Sequence, residues 1–277
     1  MKNSEMQKRK TGKEQYYTPG WVAEKCTQSM MEIVGNLAHQ KKWLEPAGGT
    51  GTFIECIKSR GIQDIVSYDI EPHHPLVQKT TDFLKEDISH LRGCLVLTNP
   101  PFGRLNQLSI PFFNKCAEVA DYIGFLVPRS WRKWTITNRL SLNFQVVHDE
   151  VFHINFVTDD GKEIQGGGID VVFQVWKRQP EKRKKVQIED RGYLLRVERE
   201  KSDIGITTFG YACGKLIEPS DKKTGTYYYK LQRPWVMQAL REIDFKPFMK
   251  NSMMIPSISI MEINYLLNEW ADKNGHT

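Results

Sequence analysis

Nowhere does this sequence hold an apolar run approaching the roughly 20 residues that cross a bilayer, so no transmembrane helix and no membrane partner are expected. Its opening residues, Met1-Lys2-Asn3-Ser4-Glu5, lack the apolar stretch of a secretory leader, which predicts a protein that is not secreted. Cysteine is sparse: Cys26, Cys56, Cys94, Cys116 and Cys213 are scattered, and no C-x-x-C pair occurs. An odd count without metal spacing predicts reduced thiols in a cytoplasmic-type compartment. Metal ligands are no better grouped, because His73 and His74 follow Asp69 without further ligands, so no metal is expected. Internal repeats and low-complexity segments are also missing. What remains is a chain of 277 residues, 40% hydrophobic and 11% aromatic. That is material for one large α/β domain, or for a domain with a smaller appendage. A net charge of +6 permits a polyanionic partner without requiring one.

The most informative stretch is Asn99-Pro100-Pro101-Phe102, at the end of the apolar run Cys94 to Thr98. The run reads as a buried strand. Two prolines directly after it cannot continue a sheet, and each holds the residue before it in an extended conformation. The result is a stiff shelf at a strand's C-terminal edge, where open α/β sheets bind ligands. The shelf presents the Asn99 amide, the Pro100 carbonyl and the Phe102 ring. Two acceptors and an aromatic face suit an exocyclic amine such as adenine N6. A plain strand-ending turn is the alternative use of an Asn-Pro pair.

Upstream, Tyr16-Tyr17-Thr18-Pro19 precedes apolar residues at helical spacing, from Trp21 to Leu37, which predicts a helix with Thr18 as N-cap and Pro19 in its first turn. The free N–H groups of such a start suit a carboxylate. Trp43-Leu44 opens a strand that runs into Glu45-Pro46-Ala47-Gly48-Gly49-Thr50-Gly51-Thr52-Phe53, followed by a helical pattern. Strand, glycine turn and helix open a nucleotide-binding crossover. The turn has neither the lysine of a phosphate loop nor full dinucleotide spacing. Ile65 to Ile70 is a second strand, with Asp69 placed some twenty residues after the glycines, where a carboxylate accepts from ribose hydroxyls. Thr81-Asp82-Phe83-Leu84 is expected to close a third strand.

Beyond the shelf, Phe112 to Ala120 predicts a helix and Tyr122 to Pro128 a buried strand. A basic, aromatic helix is expected from Trp131-Arg132-Lys133-Trp134. Strands at Gln145–Phe152 and Asp170–Trp176 flank a polar loop, Thr158–Gly168. The expected layout is a flexible basic tail over residues 1–14, a catalytic domain over 15–178, a basic linker over 179–185 and a recognition module over 186–277. Trp235–Ile243 and Met261–Trp270 are the helices expected in that module.

The order of these elements resembles the S-adenosylmethionine-dependent methyltransferases that modify adenine N6, of the kind with cofactor motifs first and the recognition region last. Tyr17-Thr18-Pro19 resembles the N-terminal cofactor motif, and Glu45 to Phe53 the glycine loop, with Glu45, Ala47, Gly49 and Gly51 as its cofactor-binding positions. Asp69 and Ile70 resemble the ribose motif, Asp82 and Phe83 the motif that holds the cofactor's adenine. Asn99-Pro100-Pro101-Phe102 resembles the catalytic motif, in which Asn99 also meets the cofactor, and Phe125-Leu126-Val127-Pro128 a later core motif. Phe152 falls where the family has a second base-stacking aromatic, opposite Phe102. The long Thr158–Gly168 insert is a departure, and the last hundred residues resemble nothing assigned. The resemblance implies a Rossmann-like class I methyltransferase sheet, mostly parallel with an antiparallel last strand, and a small C-terminal α+β module. It implies S-adenosyl-L-methionine as cofactor and site-specific methylation of DNA by base flipping. RNA adenine methylation, protein glutamine methylation and an inactive nucleic-acid-binding subunit stay open, as does a partner subunit or cognate restriction enzyme. The basic helix and the Lys177–Lys185 run are candidate phosphate contacts.

Overall fold

The structure, a computed structural model, describes residues 16–103, 106–166, 168–252 and 255–276. The tail expected over residues 1–14 lies outside the described residues. The chain divides into two compact units, one running to Pro128 and resuming over Thr135–Lys184, the other made of Arg129–Trp134 and the chain from Lys185 onward.

In the first unit, α1 (Gly20–Val34) buries Val22, Ala23, Cys26, Met30 and Val34 at three- and four-residue steps, the stripe that makes a helix face. The chain continues through α2 (Leu37–Gln40), β1 (Trp43–Glu45), α3 (Thr52–Lys58), β2 (Ile65–Asp69), β3 (Lys79–Thr80), β4 (Leu95–Thr98), α4 (Ser109–Cys116) and β5 (Tyr122–Pro128). Then come α5 (Trp134–Thr137), β6 (Phe144–Ile154) and β7 (Ile169–Arg178). The strands form one sheet in the order β3-β2-β1-β4-β5-β7-β6. The first five are parallel, and β7 runs antiparallel to both β5 and β6. Strands β4 and β5 are buried at every position, as expected of continuous apolar runs covered on both faces. The strand order reverses between β1 and β4, the place where such sheets open a crevice. This is the class I methyltransferase topology.

Three local expectations are corrected. Thr18 does not cap α1: Pro19 does, with φ −58° and ψ 143°, and its carbonyl accepts from the N–H groups of Val22 and Ala23 at 3.0 and 3.1 Å. Proline's fixed φ suits that junction, and the Thr18 hydroxyl is left out of the cap. The third strand covers Lys79–Thr80 and ends before Asp82, whose carboxylate instead accepts from the Leu84 N–H and caps a 3₁₀ turn over Phe83–Lys85. The basic helix expected from Trp131 is a 3₁₀ turn over Arg129–Arg132 followed by the short α5.

The second unit holds β8 (Leu194–Arg196), β9 (Ile204–Thr207), β10 (Leu216–Ile217) and β11 (Thr226–Leu231), an antiparallel sheet in the order β10-β9-β11-β8. It continues with α6 (Val236–Glu242), α7 (Lys246–Met249) and α8 (Ile260–Lys273). Ile204, Ile206 and Tyr229 of the sheet share one core with Val236, Leu240, Ile263 and Leu267 of the helices. Arg129–Trp134, expected in the catalytic domain, packs with this unit. The Lys133 ammonium donates to the Ser257 carbonyl and hydroxyl, both at 2.9 Å, and lies 3.8 Å from the Glu262 carboxylate. Trp134 meets the Phe248 and Tyr265 rings edge-on.

Two of the charges expected to contact phosphate in the Lys177–Lys185 run are also engaged inside the protein. Arg178 donates to the Ala117 and Ala120 carbonyls at 2.7 and 2.8 Å. Arg183 donates to the carbonyls of Phe144, Leu140 and Thr137. Lys182, Lys184 and Lys185 are exposed.

Candidate active site

The reversal between β1 and β4 opens a cavity of about 610 Å³. Four stretches build its walls: the segment leading into α1, the turn after β1, the ends of β2 and β3, and the shelf after β4. Tyr17, Thr18, Ala47, Gly49, Asp69, Ile70, Asp82, Phe83, Asn99, Pro100, Pro101 and Phe102 all line it. The chain thus brings together residues from Tyr17 to Phe102 that the sequence proposed separately. Pro19, Glu45, Gly51 and Phe152 are not on the wall.

The turn after β1 is held from two sides. Gly49 has φ +46°, and a Cβ there would stand 2.8 Å from the Tyr17 ring, so only glycine fits both the backbone and the contact. Its N–H donates to Asp69 Oδ2 at 2.7 Å, while Asp69 Oδ1 accepts from the Glu71 N–H at 2.8 Å. The Asp69 carboxylate therefore already fastens the end of β2 to the turn. Glu45 lies beneath, 1% exposed, its Oε1 accepting from the Ala47 N–H at 3.0 Å. Burial pushes its carboxyl up to about 8, so it holds its proton at neutral pH. Gly51 acts one step further on, at φ +74°, as the N-cap of α3.

Toward the adenine-motif side, the Phe83 ring is 2% exposed and tilts against Tyr68 and Phe112, each at 5.4 Å. Phe112 comes from α4 and also lines the cavity. The shelf is anchored where the Phe102 carbonyl accepts from Leu108 and Ser109 N–H groups at 3.3 and 3.4 Å, tying it to the start of α4.

Two polar atoms of the wall residues stand apart from this bonded frame. Asn99 Nδ2 donates to the Tyr16 carbonyl at 3.1 Å. A carbonyl only accepts, so this bond fixes the amide's orientation and makes the other atom the oxygen. That oxygen, Asn99 Oδ1, is buried with no hydrogen-bond partner among the described residues. The Thr18 Oγ1 is buried and partnerless in the same way. Buried polar atoms are satisfied in the great majority of cases, so two such atoms belonging to residues of one cavity wall are candidates for a ligand's hydrogen bonds.

Phe152, expected to stack on the target base opposite Phe102, does not line the cavity. It sits within β6 opposite Val171, is buried, and meets the ring of Trp21 at 6.2 Å. The aromatic that reaches Phe102 is Phe156, edge-on at 6.0 Å, and Phe156 also meets Tyr16 at 5.6 Å. Phe156 lies two residues beyond the end of β6, where the chain has left the ladder. Tyr16 and Phe156 were missed by sequence reasoning; the adjacency of Tyr16 to the cofactor-like motif was the available signal for the first.

Among the described residues no group of three or more His, Cys, Asp and Glu side chains is placed to hold a metal, and no helix is long and apolar enough to cross a membrane. All five cysteines are unpaired, and burial pushes the Cys56 and Cys94 thiols up to about 11 and about 12.

No family model and no curated protein matches this sequence. Solved structures do. A proposed RNA methyltransferase from Pyrococcus horikoshii matches over 62% of this chain and 92% of its own, at 18% identity and a TM-score of 0.50. A proposed class I S-adenosylmethionine-dependent methyltransferase from Listeria monocytogenes matches over 62% and 63%, at 12% identity and a TM-score of 0.45. TrmN from Thermus thermophilus matches over 55% and 48%, at 17% identity and a TM-score of 0.37. At 18% identity the likeness to the first of these is one of fold, in keeping with the class I methyltransferase strand order of the first unit.

Proposed function

We propose that this protein is an S-adenosylmethionine-dependent methyltransferase acting on adenine N6 in nucleic acid, with duplex DNA as the acceptor. The observation that carries the reading is the buried, partnerless Asn99 Oδ1, oriented by its own amide nitrogen, on a proline-stiffened shelf beside Phe102 and on the same cavity as Asp69 and Thr18.

The residues present fit the cofactor. Thr18 Oγ1 offers an unsatisfied donor for a carboxylate beside the first N–H groups of α1, and Gly49, in its left-handed turn, lets the backbone pack against the Tyr17 ring on the same wall. Asp69 and Asp82 place two carboxylates on the wall for hydroxyl and amine donors, and Phe83 an apolar face for a purine. When bound, S-adenosylmethionine supplies an electrophilic methyl group on a good leaving group.

The chain's own work is then orientation. The N6 lone pair of adenine is delocalised into the ring. Asn99 Oδ1 and the Pro100 carbonyl would accept its two hydrogens and localise the lone pair on nitrogen, out of the ring's π system, and one of those two protons would leave to water once the nitrogen is methylated. Because the leaving group is already good, positioning of the amine supplies most of the rate. Phe102 presents a stacking face, worth about 1–3 kcal/mol per base, which offsets part of the cost of taking adenine out of a duplex.

The test is methyl transfer from methyl-labelled S-adenosylmethionine to duplex DNA, RNA and protein in parallel, with nucleoside analysis of the product. Label in N6-methyladenine from DNA is the expected result. Label in RNA adenine moves the acceptor and keeps the site chemistry. Label in protein glutamine, or in no acceptor, overturns the assignment.

A further inference from the structure

The polar loop after β6 interrupts the motif order, yet it holds the shelf. Val157 makes two antiparallel bridges, one to Tyr17 and one to Glu163. Its N–H donates to the Tyr17 carbonyl at 2.9 Å, and its own carbonyl accepts from the Tyr17 N–H at 3.1 Å. Its neighbours close the loop on itself: the Thr158 N–H donates to the Lys162 carbonyl at 2.9 Å and the Ile164 N–H to the Phe156 carbonyl at 2.8 Å. The loop is therefore a small hairpin whose outer strand is the segment leading into α1. Phe156, next to Val157, packs between Tyr16 and Phe102. A third tie runs from the loop to the turn after β2, where Asp159 lies 3.6 Å from His73, whose ring meets Tyr17 edge-on.

These contacts converge on one atom. The Tyr16 carbonyl accepts from Asn99 Nδ2, and that bond decides which end of the amide is the free acceptor. Swung by half a turn, the amide would present N–H groups to an incoming amine, donor against donor. We infer that Val157 and Tyr16 are positioning residues for methyl transfer: the 155–164 hairpin grips Tyr17, sets the Tyr16 carbonyl, and so keeps Asn99 Oδ1 turned toward the acceptor amine. The inference rests on the proposed role of Asn99. Phe156 supports the same arrangement through its ring, and Tyr16 acts through its backbone, so its side chain is not the functional part.

Val157→Pro removes the single N–H given to Tyr17 and leaves the bonds that close the hairpin in place. With nitrogen-15 labelled asparagine, the Asn99 side-chain amide signal (identified by its loss in Asn99→Asp) is expected to shift in Val157→Pro. S-adenosylmethionine affinity by calorimetry is expected to stay within about twofold, and kcat to fall about ten- to a hundredfold, the scale of a misplaced reacting group. Phe156→Ala, which loses no backbone donor, is expected to change the same signal and lower kcat less, and it serves if Val157→Pro does not fold. In the Asn99→Ala background, Val157→Pro is expected to add nothing, because both act through one amide. An unshifted Asn99 signal, or a loss in kcat that multiplies with that of Asn99→Ala, overturns the inference. Wild-type turnover in Asn99→Ala alone removes the proposed function itself, a result distinct from either of those.

Discussion

The two ends of the cavity differ in how far their polar groups are satisfied. At the glycine turn, Asp69 already accepts from two backbone N–H groups, and Glu45 from a third. At the shelf and the α1 entrance, Asn99 Oδ1 and Thr18 Oγ1 accept from nothing and give to nothing among the described residues. A satisfied group holds a shape whether or not a ligand is present. An unsatisfied buried group costs about 1–3 kcal/mol in the empty protein and recovers it only when a ligand arrives. On the function proposed above, the same cavity contains a scaffold end and a receiving end, and the two are expected to respond differently to mutation.

The largest effect belongs to the scaffold. The Glu45 carboxyl titrates near 8 in the folded protein, against 4.5 as its ordinary value, so between those values the folded chain holds a proton that the unfolded chain has released. Stability is fully present below 4.5 and falls as pH rises toward 8, by a few kcal/mol in total. Glu45→Gln keeps the oxygen that accepts from Ala47 and cannot ionise. Denaturant melts from pH 5 to 8 are expected to lose their downward slope in this variant; an unchanged slope places the titration elsewhere.

Asp69→Ala comes next and carries both signatures. It strands the Gly49 and Glu71 N–H groups, lowering stability without ligand by about 1–3 kcal/mol, and removes a charged acceptor, weakening S-adenosylmethionine about ten- to a hundredfold. Denaturant melts and calorimetry read the two losses separately. Affinity lost with no loss of stability erases the distinction between the two ends.

Thr18→Val gives the smallest effect and the sharpest contrast. It replaces a partnerless buried hydroxyl with a methyl group of similar shape, so the empty protein is expected to be as stable or up to about 1 kcal/mol more stable. Cofactor affinity is expected to fall about fivefold, the worth of one hydrogen bond. A melt and a titration on the same preparation check both, and a drop in both moves Thr18 to the scaffold.

Much of this was legible in sequence because local chemistry dictates it. Two prolines after an apolar strand fix a shelf at Asn99 whatever surrounds it, and glycines between a strand and a helix fix the turn at Gly49. The buried strands β4 and β5 followed from apolar runs that admit few other uses, whereas the short β3, Lys79–Thr80, has no such run and was expected two residues further on. What was not legible depends on partners distant in the chain. Tyr16 and Asn99 are 83 residues apart, and no pattern in either segment announces their bond. Phe152 and Phe156 differ only in which side of the end of β6 they fall, a boundary that hydrophobic alternation does not mark well. Pro19 displaced Thr18 as cap because backbone geometry outranked side-chain preference. Trp131–Trp134 reads as the opening of a helix after β5, and the membership of Arg129–Trp134 in the second unit goes with Lys133 meeting Ser257 and Glu262, more than a hundred residues on. For the same reason, removing residues 185–277 would take Ser257, Glu262, Phe248 and Tyr265 from Lys133 and Trp134, so a recognition role proposed for the second unit is better tested by point substitutions than by truncation.

The receiving end is tested most directly by single-turnover methyl transfer with Asn99→Ala, on a nucleic acid that the wild type methylates and with cofactor binding measured on the same sample. The account predicts a rate about 10²- to 10³-fold lower, the usual loss when one preorganised hydrogen-bonding group is removed from a transition state, with S-adenosylmethionine affinity and melting temperature close to wild type. A rate within a few-fold of wild type would contradict it, because Asn99 Oδ1 would then be neither the acceptor for the amine nor the reason the cavity is built around it.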